Sequence, residues 1–285
     1  MNILVATDDV YYPRLKIFTN TLSKHDANNF EITIMHARLS DSNIKDFERF
    51  ARKKGIRYRF AKLQETRFNS YKLLHQLTVE VYFRFMILQL YPTQSRAMWV
   101  DTDTVVRSSL APFYHQDFEG NCVVACAGNN EKKHLQRLGL NEDGHYFNAG
   151  VILFDLDRIR KEFSTYFLFD IYESNEEKIF LADQDVLNIA FSDKVKCAQN
   201  RNYNYMVFSG QKIDKEEYRR IKQEAAIVHY IRHIKPWQYY YAGKVKYLYL
   251  KEQFALYPLE TVKTVVKGFF YMFKKDKKTL ENSQK

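Results

Sequence analysis

Short apolar runs recur along this chain, and three of them stop abruptly at side chains able to bind a metal or a ligand. Asn2-Ile3-Leu4-Val5-Ala6 leads into Asp8-Asp9, Ala97-Met98-Trp99-Val100 into Asp101-Thr102-Asp103, and Ala226-Ile227-Val228 into His229. Runs this short and this apolar read as buried strands. Further strands are expected at Glu31 to His36, Arg57 to Ala61, Cys122 to Ala127 and Gly150 to Phe154. Helical spacing predicts helices from Pro13 to Leu22, with proline near the start, and from the capping residues Ser40 and Asp41 to Lys54. It also predicts a long helix from Tyr71 to Leu90, stopped by Pro92, and helices at Asp157 to Tyr172 and Asp183 to Phe191. Strands alternating with helices make βαβ units, so the fold expected is α/β with a mostly parallel sheet flanked by helices. In such sheets ligands bind beyond the carboxyl ends of the strands. The acidic and imidazole side chains fall at those ends.

Composition narrows the function. The 285 residues contain nine glycines, from which neither a Gly-x-Gly-x-x-Gly fingerprint nor a Walker-type phosphate loop can be drawn. The net charge is +10, which favours anionic partners. Its distribution matters more: Lys235 to Lys278 holds ten lysines against three acidic residues, hence +7 of the total. The remainder is nearly balanced, which argues against a nucleic-acid partner spread over the fold. Cys122, Cys126 and Cys197 are too few for a disulfide framework and read as structural thiols in a reducing compartment. No stretch reaches the ~18 apolar residues of a membrane span. Asp8 and Asp9 interrupt the N-terminal apolar run, so a signal peptide is not expected and the location expected is cytoplasmic.

Carboxylates at i and i+2 on extended chain face the same side. Asp101 and Asp103 can therefore share one divalent cation, with His229 as a third ligand. Two carboxylates and one imidazole suit Mn²⁺ or Mg²⁺ better than a structural zinc, which would want thiolates.

Six short motifs, in order from Met1 to about Trp237, together resemble glycosyltransferase family 8. That family includes bacterial lipopolysaccharide and lipooligosaccharide galactosyl- and glucosyltransferases and, more distantly, glycogenin. Ala6-Thr7-Asp8-Asp9 with Tyr11 is similar to its uridine-binding start, Tyr82-Phe83-Arg84 to its Tyr-x-Arg, and Asp101-Thr102-Asp103 to its Asp-x-Asp. His145-Tyr146-Phe147-Asn148-Ala149-Gly150-Val151 resembles its Phe-Asn-Ala-Gly-Val signature, and Asp183-Gln184-Asp185 its Asp-Gln-Asp. His229 with Lys235-Pro236-Trp237 resembles its closing His-x-x-Gly-x-x-Lys-Pro-Trp.

The resemblance implies a GT-A type, Rossmann-like catalytic domain over residues 1–237 and a retaining, metal-dependent hexosyltransferase. Its donor would be UDP-galactose or UDP-glucose, and its acceptor a glycan or glycolipid such as a cell-surface polysaccharide precursor. Asp101, Asp103 and His229 would hold Mn²⁺ (or Mg²⁺), and Lys235 would add positive charge beside the leaving diphosphate. Tyr11 would stack on uracil and Asp8 accept its N–H. Ala6, Asp9, Thr102 and Ala149 match other donor-binding positions. Arg84, Asn148 and Asp183 match positions that bind sugar hydroxyls, and Gln184 the position below the anomeric carbon. Gln184 and Asp183 are the candidate catalytic residues. An amide is a poor nucleophile, so front-face substitution is expected over double displacement through a carboxylate. Two positions depart from the family: Arg232 replaces the glycine before the lysine, where its guanidinium could grip a phosphate, and Val10 stands where a ribose-binding Asn is usual. Two other classes use similar parts. A nucleotidyltransferase would usually show a Gly-rich or basic triphosphate loop near the N-terminus, and none is visible. A non-catalytic nucleotide-sugar-binding or membrane-bound scaffold is opposed by the intact ligand set.

Residues 238–285 are read separately, as a basic amphipathic helical segment. Val262, Val265, Val266, Phe269, Phe270 and Phe273 follow the i, i+3, i+4, i+7 pattern of one helix face, with Lys263, Lys267 and Lys274 off it. This pattern points to an anionic membrane surface, placing the protein peripherally at the inner face of the cell membrane. A helix packed on the catalytic domain is the alternative.

Overall fold

The computed structural model describes residues 1–64, 66–73, 78–129, 131–198 and 201–283, with backbone alone for 272–283. Ten strands are formed by the described residues: β1 (Asn2–Ala6), β2 (Glu31–His36), β3 (Arg57–Lys62), β4 (Arg96–Val100), β5 (Thr104–Val106), β6 (Val123–Ala127), β7 (Phe147–Asp155), β8 (Val195–Cys197), β9 (Tyr205–Val207) and β10 (Ile227–Tyr230). A seven-stranded sheet has the order β3-β2-β1-β4-β7-β6-β8, and a three-stranded sheet the order β5-β10-β9. In the larger sheet only β7 runs against its neighbours β4 and β6; the other pairs are parallel. The mostly parallel α/β expectation holds.

Because successive strand residues face opposite sides, each apolar run feeds two cores. Ile3 and Val5 of β1 pack with Leu15, Phe18 and Phe47 from the helices Tyr12–His25 and Asp41–Lys54. Leu4 between them packs on the other face with Trp99, Phe83, Phe85 and Phe169. The helix Asp41–Lys54 starts at Ser40, whose hydroxyl accepts from Asn43 N–H, and ends at Gly55 in the left-handed region at φ +65°. The smaller sheet has its own core, in which Val105, Val207, Val228 and Tyr230 pack with Tyr241, Val245, Leu248 and Tyr249. The division expected at residue 237 therefore does not coincide with a break in packing, since the helix Lys246–Leu256 helps cover the small sheet.

Three element expectations need correction. Among the described residues, the long helix expected from Tyr71 to Leu90 is absent. Residues Thr66–Ser70 and Val79–Met86 form 3₁₀ helices and only Ile87–Leu90 is α-helical, while 74–77 lie outside the described residues. In a 3₁₀ helix side chains at i and i+3 line up, so Tyr82 and Phe85 both meet Tyr71, at ring separations of 5.1 and 6.3 Å. Apolar burial all round this segment (Tyr82, Phe83 and Phe85 are each at most 1% exposed) replaces the single stripe an amphipathic helix would need. The helix expected from Asp157 to Tyr172 breaks into Leu156–Glu162 and Phe167–Ser174, with Phe163 extended so that it and Phe167 both reach Phe191. His229 lies inside β10 and not after it.

The C-terminal helix, Pro258–Ser283, buries a narrow face of small residues. Thr261 and Gly268 are buried there, and Thr264 Oγ1 donates to the Trp237 carbonyl at 3.4 Å. A β-carbon on Gly268 would lie 2.9 Å from the Tyr239 carbonyl oxygen, so glycine permits this contact. The apolar stripe points away: Val262, Val265, Val266, Phe269 and Phe270 are 45–61% exposed. The positions Phe273 and Lys274 lie outside the described side chains. Among the described residues, no helix is long and apolar enough to cross a membrane.

Candidate active site

Strand register assembles the acidic and imidazole side chains. Val100 pairs with Val151 across β4 and β7, and one step further Asp101 N–H donates to the Gly150 carbonyl at 2.8 Å. The chain then turns, with Thr104 Oγ1 donating to the Asp101 carbonyl at 2.8 Å, and continues as β5. There Thr104 pairs with His229 of β10, and Tyr230 N–H donates to the Asp103 carbonyl at 3.1 Å. Asp101-Thr102-Asp103 is thus a bend joining the two sheets, not the extended segment expected. Both carboxylates still reach the imidazole: His229 Nε2 is 3.8 Å from Asp101 Oδ2 and 3.3 Å from Asp103 Oδ1. One ligand atom from each residue lies within 4.8 Å of the others.

The chemistry of this set fits a hard divalent cation. Asp103 Oδ1 is buried and has no hydrogen-bond partner, which in a folded protein needs an explanation. Burial would push Asp103 toward its neutral acid, but the Lys235 ammonium beside it outweighs this and holds the carboxyl well below the usual range. Lys235 Nζ donates to Asp103 Oδ2 at 2.5 Å and to the Tyr230 carbonyl at 2.6 Å. It therefore stands at the ligand cluster.

Arg84 lies beneath the cluster, 2% exposed. Its guanidinium is 4.0 Å from the Trp99 ring centroid. It donates to Ala149 O at 2.5 Å and Asp101 Oδ1 at 3.1 Å, and its Nε lies 3.1 Å from Asp183 Oδ2. Arg84 thus clamps Asp101 and Asp183, and it lines the same cavity as Asn148 and Gln184. Burial raises Asp183 to about 7, although Arg84 opposes the rise. Gln184 Oε1 accepts from Asn148 Nδ2 at 3.0 Å and Ala149 N–H at 3.2 Å, and its Nε2 donates to Tyr146 Oη at 3.0 Å. Tyr146 O–H donates to Asp185, which also accepts from Arg137 and from the N–H groups of Phe180 and Leu181. The tight turn that presents Asp183 and Gln184 puts Ala182 at φ +49°, ψ −128°, a conformation that favours glycine and stores strain at the site.

These residues face one cavity of about 760 Å³. Ala6, Asp8, Tyr11, Thr102, Asn148, Ala149, Asp183, Gln184, Arg232 and Lys235 line it with the ligand cluster. Asp8 Oδ1 accepts Tyr11 N–H at 2.7 Å, and the Tyr11 ring meets Trp237 edge-on at 5.9 Å. Arg232 sits at φ +67°, where the glycine it replaces would be at ease, and its guanidinium stacks 3.8 Å from the Phe208 ring centroid. Asp9 is not brought to the cavity. Its Oδ1 accepts from Ser40 and Asn43 at the start of the second helix, and the correction follows from that capping role. Glu80, Trp99, Gly150 and His233 also line the cavity. Gly150 lay within a recognised motif without a role assigned to it; isolated Glu80 and His233 carried no signal.

An open α/β sheet with one reversed strand, joined at an Asp-x-Asp bend to a second small sheet, defines the GT-A class of fold. Residues 2–240 match the family Glycosyl transferase family 8, and the chain belongs to it. It is 23% identical over 267 residues to general stress protein A of Bacillus subtilis, covering 89% of this chain and 92% of that one. It is 31% identical over 170 residues to the lipopolysaccharide 1,2-glucosyltransferase of Escherichia coli, covering 56% of this chain and half of the relative. The galactosyltransferase LgtC, solved in complex with donor and acceptor sugar analogs, superposes with a TM-score of 0.78 at 22% identity, covering 93% of this chain and all of that one. The class of activity is glycosyl transfer, and divalent metal use is usual for glycosyltransferases of GT-A type.

Proposed function

We propose that the protein transfers galactose or glucose, with retention, from a UDP-hexose to a glycan or glycolipid acceptor of the lipopolysaccharide type. The observation that carries this reading is the unpartnered Asp103 Oδ1, set among Asp101, His229 and Lys235 in a cavity shared with Tyr11 and Gln184. Support comes from relatives named as a lipopolysaccharide 1,2-glucosyltransferase and 1,3-galactosyltransferase. Asp101, Asp103 and His229 hold Mn²⁺ or Mg²⁺, which when bound supplies Lewis-acid neutralisation of charge on the leaving diphosphate. Lys235 adds a fixed positive charge there. Tyr11 offers its ring to the uracil, and Asp8 accepts the base N–H. Asn148 and Asp183 face the sugar, and Gln184 lies under the anomeric carbon. Arg232 offers a guanidinium at the diphosphate end.

The catalytic unit spans residues 1–237, and the segment 238–285 supports it. The outward stripe of the C-terminal helix, flanked by Lys263 and Lys267, seats the enzyme on the anionic inner face of the cell membrane beside a lipid-linked acceptor.

Hydrolysis of UDP-galactose and UDP-glucose without acceptor tests the reading. Wild type should release UDP slowly with Mn²⁺, lose this in EDTA, and regain it when Mn²⁺ is restored; Asp103→Asn should be inert under all three conditions. Full activity in EDTA would sink the metal assignment, and no turnover of either sugar would sink the hexose.

A further inference from the structure

We propose that Asn204 is a positioning residue that fixes the tautomer of His229 and links it to Gln184; this rests on the metal-dependent reading above. Asn204 closes the 3₁₀ turn Arg201–Asn204 just before β9. It is 1% exposed and does not line the cavity, so whatever it does is exerted through neighbours. Its Oδ1 lies 2.9 Å from His229 Nδ1 and its Nδ2 lies 2.9 Å from Asn148 Oδ1.

Backbone groups set the polarity of this chain of side chains. Gly150 N–H can only donate, and it meets Asn148 Oδ1 at 3.0 Å. Ala149 N–H likewise meets Gln184 Oε1 at 3.2 Å, so the amide donated to that oxygen is Asn148 Nδ2. Asn148 therefore turns its oxygen to Asn204, which must answer with its amide nitrogen. The Asn204 oxygen is left to face His229, so Nδ1 carries the proton. In the neutral ring Nε2 then holds the lone pair, directed toward Asp101 and Asp103. A metal-bound imidazole requires this tautomer, and the hydrogen bond at its other nitrogen selects it.

Asn204→Leu keeps the side-chain outline and removes both hydrogen bonds. Asn204→Asp still accepts from Nδ1 but cannot donate to Asn148. The readout is Mn²⁺ affinity of the full chain with UDP present, followed by the electron paramagnetic resonance of free Mn²⁺, beside thermal unfolding. We expect Asn204→Leu to weaken Mn²⁺ binding by about 10–100-fold, while Asn204→Asp binds it at least as tightly as wild type. A folded Asn204→Leu with wild-type affinity reduces Asn204 to packing and overturns the inference. If Asn204→Leu does not fold, Asn204→Asp decides, and a loss there as large as that of Asp103→Asn overturns it. Wild type that takes up no Mn²⁺ overturns the metal reading itself, and the role of Asn204 with it.

Discussion

His229 Cε1 lies 2.2 Å from the point where a β-carbon on Gly150 would stand, and Asp101 Oδ2 lies 2.9 Å from the same point. β7 passes beneath two ligand groups so closely that only a hydrogen fits. Gly150→Ala must displace the imidazole or open the β4–β7 pairing. Overpacking of this kind costs about 1–3 kcal/mol, visible as a lowered Tm. Misplacement of a reacting group by about 1 Å can cost on the order of 100-fold in rate, so transfer should fall at least that far in protein that still folds. Near-normal transfer by Gly150→Ala would refute the geometry.

Gln184 bears on how the anomeric configuration is kept. Its Oε1 is turned toward Asn148 and the Ala149 N–H, away from nucleophilic duty, and an amide is weak in that role in any case. Gln184→Ala should therefore slow transfer without abolishing it. Removing a true nucleophile costs far more, of order 10⁴ or greater. Rapid-quench mass spectrometry provides the counter-test: a glycosyl adduct on Asp183 would replace front-face substitution with double displacement.

The sequence exposed the parts that strand ends create. β1, β2, β4 and the Ser40-capped helix follow from apolar runs and caps, and Asp101, Asp103 and His229 were recognisable because each follows or ends such a run. Contacts made across the fold were not recognisable. Arg84 reads as a sugar-binding arginine, and nothing in its sequence neighbourhood says that it also holds Asp101 and Asp183 in place. Asp9 reads as half of an acidic pair, yet Ser40 and Asn43, more than thirty residues on, take its oxygen. Asn204 is a lone asparagine in a loop; its role exists only because β9 and β7 bring it between His229 and Asn148.

Asp183 makes stability pH-dependent in the metal-free protein. Burial, partly countered by Arg84, lifts its folded value to about 7, against about 3.9 in an unfolded chain. The native state therefore keeps a proton that the unfolded chain releases between those values, and stability should fall as pH rises through that window. At about 1.36 kcal/mol per unit the loss is of order a few kcal/mol. Asp183→Asn, which stays neutral, should flatten the decline. Urea unfolding in EDTA at pH 4.5, 6 and 7.5 measures it, and parallel pH profiles for the two proteins would show that Asp183 titrates normally.

The C-terminal helix offers a test that leaves the catalytic fold intact. Deleting it would uncover Trp237 and Tyr239, where Thr264 and Gly268 pack, and Trp237 in turn touches Tyr11 of the cavity. Truncation thus confuses anchoring with damage to the donor site. Phe269 and Phe270 are 54% and 61% exposed, so Phe269→Glu with Phe270→Glu changes the outward face while keeping the packed one. Wild type should sediment with vesicles rich in anionic lipid at low salt, and less so as salt rises, since each nearby lysine contributes about 1 kcal/mol that ions screen. The double variant should stay in the supernatant, with unchanged Tm and unchanged hydrolysis of the soluble donor. A wild-type protein indifferent to anionic vesicles at low salt would leave the stripe with some occupant other than lipid. A double variant that sediments as wild type does would assign the binding to the lysines alone.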